Sequence, residues 1–181
     1  MSRIQIQADD FFNAYLVLKV NNEAVIERLS KLPGTPLVGT KELGTHPTPG
    51  IEIVCLAFSL ELYLKDLHYA LTKKKPSKDH DILKLFNKLP EKIRQEIFAC
   101  DSISQNPFIA RGNIFYAKRS AATHNPYDGF IDHIKEISDG FVKWRYSYES
   151  STLRYSDSFA VAFIHAIKSV TDNVRRQNPL P

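Results

Sequence analysis

Apolar residues recur every three or four positions from Ile51 to Leu71. Ile53, Leu56, Leu60, Leu64, Leu67 and Leu71 line one face of a helix. The opposite side carries Val54, Phe58, Leu62, Tyr63 and Tyr69, so the segment is apolar almost all round and calls for protein on every side. Glu52, Glu61, Lys65 and Asp66 interrupt the run, which rules out a membrane span. The pattern predicts the central helix of a bundle.

The flanking segments read as further helices. Ala8–Leu32 is the first, capped by Asp9 or Asp10, with Phe11, Tyr15, Leu18 and Ala14 as its apolar stripe. Val25, Ile26 and Leu29 continue that stripe beyond Asn21-Asn22, a point where it could break. Residues 33–50 hold four Pro and four Gly and form a long connection, either a surface strap between helices or a functional loop. After the central helix, Ser77 or Asp79 is the expected cap of a helix Asp81–Asn87, with Ile82, Leu85 and Phe86 inward. Pro90 starts the next helix and turns Ile93 and Ile97 inward. Residues 101–125 have no clean period. From Pro126 the helical spacing returns in Phe130, Ile134, Ile137, Phe141 and Trp144 or Arg145, tolerates Gly140, and ends near Ser150. A final helix, Asp157–Arg176, presents Phe159, Phe163, Ile167 and Val170, with Ala160, Ala162 and Ala166 permitting close packing. No segment alternates with period two. The expectation is an all-α single domain, residues 1–181, a bundle of about five to six helices.

Composition narrows the class. With 181 residues, 43% hydrophobic and 24% charged residues and only 7 Gly, the chain fits an ordinary globular domain with a sizeable core. Two cysteines, Cys55 and Cys100, make neither a disulfide framework nor a zinc site, and the N-terminus lacks the apolar core of a signal peptide. A cytoplasmic location without membrane attachment is therefore expected. The net charge of +4 permits a polyanionic partner without requiring one. There is no glycine-rich phosphate loop, G-x-S-x-G elbow or C-x-x-C pair, so dinucleotide, ATP and serine-hydrolase chemistry find no support and no cofactor is expected.

Three segments carry a resemblance. SLELYLKDLHYAL at 59–71 places a small residue before an acidic one, with a lysine following; DHDILKLFNKLP at 79–90 resembles an HDL-x-x-L helix start; FVKWRYSYE at 141–149 is an aromatic-Arg-Tyr helix segment. In this order they resemble the HEPN superfamily, over roughly residues 51–175. The resemblance implies a four-helix core, a homodimer, and work on RNA or nucleotides in toxin–antitoxin or defence systems, with a cognate antitoxin or a nucleotidyltransferase as partner. It also implies a metal-independent endoribonuclease built on an Arg followed four to six residues later by a His. Arg119 and His124 fit that spacing, with Ser120 directly after the Arg where the family often has a polar amide or acidic residue. A guanidinium fork suits a phosphate oxygen, and an imidazole moves protons near neutral pH. Asn125-Pro126 biases the backbone after His124 away from a continuing helix.

Other residues admit two readings each. Lys73, Lys74, Lys75 and Lys78 are the densest positive cluster; they either neutralise a helix C-terminus or bind RNA phosphates. Arg145 and Tyr146, beside Trp144 and Tyr148, either contact RNA by stacking and phosphate pairing or, for Arg145, form a structural ion pair with Glu61 or Glu149. Asp79-His80-Asp81 could orient an imidazole, although a helix N-cap accounts for it with less. His124, Asp128 and Asp132 stand at metal-ligand spacing, but Pro126 separates the His from the helix, and no metal is expected. His68 and His165 read as core or boundary histidines. The other class of function is a non-catalytic HEPN-like scaffold that binds a partner protein or small ligand through residues 144–149.

Overall fold

The computed structural model describes residues 2–31, 51–105, 126–144 and 156–177; of residues 25, 26, 29, 30 and 139–144 only the backbone is described. Among the described residues there are seven helices and no strand. They are α1 (Arg3–Ser30), α2 (Ile51–Thr72), α3 (Ile82–Asn87), α4 (Glu91–Ala99), α5 (Asp101–Ser104), α6 (Pro126–Trp144) and α7 (Asp157–Gln177). The all-α bundle expected from the periodicity is the observed class. None of these helices is long and apolar enough to cross a membrane.

α2 is the central element. It packs against α1, α7, α3 and α6, and buries Leu56, Leu60, Leu64 and Leu67 completely or nearly so. The ends of the expected stripe, Ile53 and Leu71, are half-buried, as are Val54, Phe58, Leu62 and Tyr69 on the far side. Protein covers the face of Leu56, Leu60, Leu64 and Leu67 fully and the far side only in part.

α1 begins earlier than the spacing suggested. The Ser2 hydroxyl accepts the Gln5 backbone N–H at 3.0 Å, which satisfies a donor that a helix start leaves unpaired. Asp9 and Asp10 are therefore inside the helix and do not cap it. Asp9 instead accepts from the Tyr63 hydroxyl at 2.6 Å and from Lys168 at 2.7 Å, drawing α2 and α7 onto α1. Asn21-Asn22 does not break the helix, and Asn22 is buried. The buried stripe is Ala8, Phe12 and Tyr15, whereas Phe11 is 38% exposed and stacks on Phe58 with ring centroids 5.4 Å apart. The side-chain pairs fix the directions. Positions 2 and 66, 9 and 63, 11 and 58 pair with falling number, so α1 and α2 run antiparallel. Positions 5 and 175, 9 and 168, 19 and 157 do the same for α1 and α7.

The second half closes around four phenylalanines, Phe86, Phe130, Phe159 and Phe163, all fully buried. Phe130 meets Phe163 edge-on at 5.5 Å and 88°, and Phe86 meets Phe130 at 5.7 Å and 74°. These edge-to-face geometries match the ring quadrupoles and add to the gain from area burial. α7 buries Phe159, Phe163, Ile167 and Val170, as its spacing predicts, and Ala160 and Ala166 with them. Ile93 and Ile97 of α4 and Phe130, Ile134 and Ile137 of α6 are likewise inward. Phe141 and Trp144 contribute backbone only to the described part of α6.

Candidate functional site

The turn between α2 and α3, residues 73–81, gathers most of the chemistry in the described chain. α2 ends on Lys73, a non-glycine residue at φ 58°, whose N–H still reaches the Tyr69 carbonyl at 2.8 Å. This left-handed helix ending usually takes glycine, because a Cβ there costs about 1–2 kcal/mol. Thr72 continues the closure: its hydroxyl donates to the His68 carbonyl at 2.8 Å and accepts the Lys74 N–H at 3.2 Å. The chain then leaves the helix axis and exposes Lys73, Lys74, Lys75 and Lys78 together.

The far end of the turn is fastened by side chains. The Ser77 hydroxyl donates to Asp79 at 2.9 Å and accepts from Lys88 at 2.9 Å, and Lys88 also pairs with Asp79. The cap of α3 is Asp81, whose Oδ1 accepts the Lys84 N–H at 2.9 Å; Ser77 and Asp79, the two expected caps, are used inside the turn instead. Ser138 of α6 donates to the same Asp81 oxygen at 2.9 Å, which pins the turn to a second helix. Burial raises the Asp81 pKa, but the Lys84 amide, the Ser138 hydroxyl and the Lys84 ammonium outweigh it and leave the carboxyl below its ordinary value.

His80 is not held by its neighbours Asp79 and Asp81. Its Nδ1 lies 3.0 and 3.2 Å from the two carboxylate oxygens of Glu61, one helix away. Glu61 is buried, with its side chain only 4% exposed, and it also accepts from Lys65 at 2.7 Å. The His80 side chain is 62% exposed. A buried carboxylate thus holds the Nδ1 edge of a largely exposed imidazole, in the same turn as the four lysines. The polar positions that interrupt the apolar run of α2 were its sequence signal. Glu61 and Lys65 are four apart and share a face, but nothing in one dimension links them to His80.

Not every sequence candidate meets here. Lys73, Lys74, Lys75 and Lys78 share the turn and pair with no carboxylate among the described residues, in contrast to Lys65, Lys84 and Lys88, which all do. Arg119, His124, Arg145 and Tyr146 lie outside the described residues. Glu61, one carboxylate offered to Arg145, has Lys65 and His80 as its described partners. In α6, Asp132 pairs with Lys135 at 2.8 Å and His133 lies 3.5 Å from Glu136, so these groups have partners on their own helix.

Other charge pairs, one buried and one half-exposed, hold helices together. Asp66 is fully buried and accepts at both of its oxygens, at 2.8 and 2.7 Å, from a single guanidinium nitrogen of Arg175, Nη2, with Ser2 as a further donor. Lys19 meets Asp157 at 2.6 Å, and that hydrogen bond raises the lysine pKa despite its partial burial. A shallow cleft between α5 and α7 is lined by Cys100, Asp101, Ser102, His165 and Ser169. Burial, with Asp101 and Glu96 adding their charge, pushes the Cys100 thiol up, and its Sγ donates to the Glu96 carbonyl at 3.3 Å. A thiol held protonated in this way is a poor nucleophile. His165 is exposed and touches Phe12 edge-on at 6.0 Å, a boundary histidine as expected.

No family model matches the chain, and no curated protein or solved structure matches it.

Proposed function

We propose that this helical bundle engages RNA, and that the 73–81 turn is where it holds the phosphate backbone. One observation carries the reading: four adjacent exposed lysines have no carboxylate partner among the described residues, while the lysines around them are paired. A helix C-terminus carries about half a negative charge, which one or two lysines would balance. Four leave an excess suited to a polyanion. Placing Lys73 at positive φ, where glycine would be less strained, also favours a demand for charge at that position. The resemblance to HEPN domains points to the same partner class and supplies the sharper version: a metal-independent endoribonuclease of a toxin–antitoxin or defence system, a homodimer using Arg119 and His124, with Arg145 and Tyr146 as further RNA contacts.

Fluorescence anisotropy with a labelled single-stranded RNA tests this reading directly. For single strands the logarithm of affinity falls with the logarithm of salt by about 0.7 per phosphate contact. Replacing Lys73, Lys74, Lys75 and Lys78 by Ala should flatten that slope by about 2 to 3. Binding that keeps its slope in the quadruple variant would move the interface elsewhere. Absence of binding by the unaltered protein would favour the scaffold reading, in which residues 144–149 receive a partner protein or small ligand.

A further inference from the structure

The pairing of His80 with Glu61 points beyond binding to chemistry, on the premise that the lysine turn holds RNA. Among the described residues, His80 is the histidine set in that turn, and its Nδ1 edge is claimed by both oxygens of a buried carboxylate. Lys65 already neutralises that carboxylate at 2.7 Å. In its neutral form the imidazole donates Nδ1–H to Glu61 and keeps the lone pair of Nε2 for another partner. A carboxylate that fixes tautomer and ring orientation in this manner is what a proton-accepting histidine needs.

We propose that His80 is a catalytic proton acceptor for cleavage of single-stranded RNA held on the 73–78 lysines, with Glu61 as its positioning residue. His80 Nε2 takes the proton of a ribose 2′-hydroxyl. The 2′-oxygen forms its bond to the adjacent phosphorus as the bond from phosphorus to the 5′-oxygen breaks. The departing 5′-oxygen takes a proton from water, and the imidazolium returns its own proton to solvent. The products are a 2′,3′-cyclic phosphate and a 5′-hydroxyl, with no oxidant, reductant or second substrate consumed. The exposed lysines neutralise the phosphate charge that would otherwise repel the developing oxyanion.

The test uses the full chain in EDTA with an end-labelled single-stranded RNA and the same oligonucleotide carrying 2′-deoxyribose throughout. The unaltered protein should cut the first and not the second. His80→Ala should lower the rate by about 100-fold or more, the usual worth of a positioned base, with RNA affinity held within about twofold. Because His80 is mostly exposed, this variant should melt with the unaltered protein. Added imidazole should restore part of its activity, an effect that a purely structural histidine would not show. Arg119→Ala/His124→Ala runs beside it to separate the two catalytic assignments. RNA that is bound but not cut, His80→Ala that cuts at the original rate, or a lost rate that imidazole does not restore would each overturn the proposal and leave RNA binding standing. Failure of the unaltered protein to bind RNA would overturn RNA binding itself, and the catalytic role of His80 with it.

Discussion

Arg175 and Asp66 offer the sharpest quantitative test of how the bundle is held. The Asp66 side chain is 2% exposed, that of Arg175 23%, and Arg175 Nη2 reaches both carboxylate oxygens, at 2.7 and 2.8 Å. Arg175 also donates to Gln5, and Ser2 donates to Asp66, so the pair ties α1, α2 and α7 at one point. Taking both ions out of water is costly, and their attraction roughly offsets that cost; the intact pair is therefore worth little over an apolar replacement. Breaking it is a different matter. Arg175→Met leaves a buried carboxylate with one hydroxyl donor, a penalty of about 3–5 kcal/mol by analogy with other interrupted buried pairs. Arginine is a quarter exposed, so water can reach the vacated site, and the lower end, about 3 kcal/mol, is the expected value.

For a chain of this size each kcal/mol shifts the melting temperature by about 2–4 °C, so Arg175→Met should melt about 6–12 °C lower. The double variant Asp66→Leu/Arg175→Met removes the stranded charge and should recover most of the loss. Circular dichroism melts of the two single variants and the double close the cycle. Additive losses, with the double the least stable of the three, would refute the reasoning, because they would mean that the two groups act independently and neither is stranded by loss of the other.

Phe130→Ala, which opens a hole among Phe86, Phe159 and Phe163, should cost about 3–5 kcal/mol in urea unfolding. Lys73→Gly should stabilise the fold by about 1 kcal/mol by relieving the positive φ while weakening RNA affinity; a destabilised variant would contradict the strain. Burial raises the Asp9 and Asp157 pKa values, but Lys168 with Tyr63, and Lys19 with its own ion pair, pull both below the ordinary value. Their folded-state pKa being depressed, the stability they add is present above the unfolded value near about 4 and is lost as pH falls through the folded values. Urea midpoints should therefore hold from pH 7 to about 5 and fall below about 4, and Asp157→Asn should flatten that fall.

Helix periodicity made the interior legible because a buried face repeats wherever a helix is covered. Leu56, Leu60, Leu64 and Leu67, or Phe159, Phe163, Ile167 and Val170, announce themselves without any knowledge of partners. Helix ends were harder, since a cap depends on which of several Ser or Asp residues the backbone reaches first. Ser2 rather than Asp9 caps α1, and Asp81 rather than Ser77 or Asp79 caps α3. The α1 stripe also shifted, from Phe11 to Ala8 and Phe12 with Tyr15 retained, because α1 meets both α2 and α7. Of the candidate site, the lysine cluster was legible as composition. Its lack of carboxylate partners among the described residues was not, because pairing joins residues such as Lys88 and Asp79 that only the turn brings together. Arg119, His124, Arg145 and Tyr146 remain expectations of the sequence alone.

The two buried acids of α2 show why one polar interruption of an apolar helix differs from another. Glu61 and Asp66 are five residues apart, about 140° around the axis, so they serve opposite sides of the helix. Asp66 faces α1 and α7 and is answered by an arginine carried on a long helix, one nitrogen of which spans both carboxylate oxygens. Glu61 faces the turn and is answered by a lysine on its own helix and by an imidazole that spends only one of its two nitrogens on the contact. The first arrangement spends both carboxylate oxygens on donors from within the bundle. The second leaves a nitrogen unspent at an exposed edge, beside lysines without carboxylate partners among the described residues. A structural role would be met equally well by an asparagine or lysine at position 80, so binding and cleavage measured on His80→Asn should separate the two roles. A variant that keeps the fold and loses only the chemistry would assign that spare nitrogen its function.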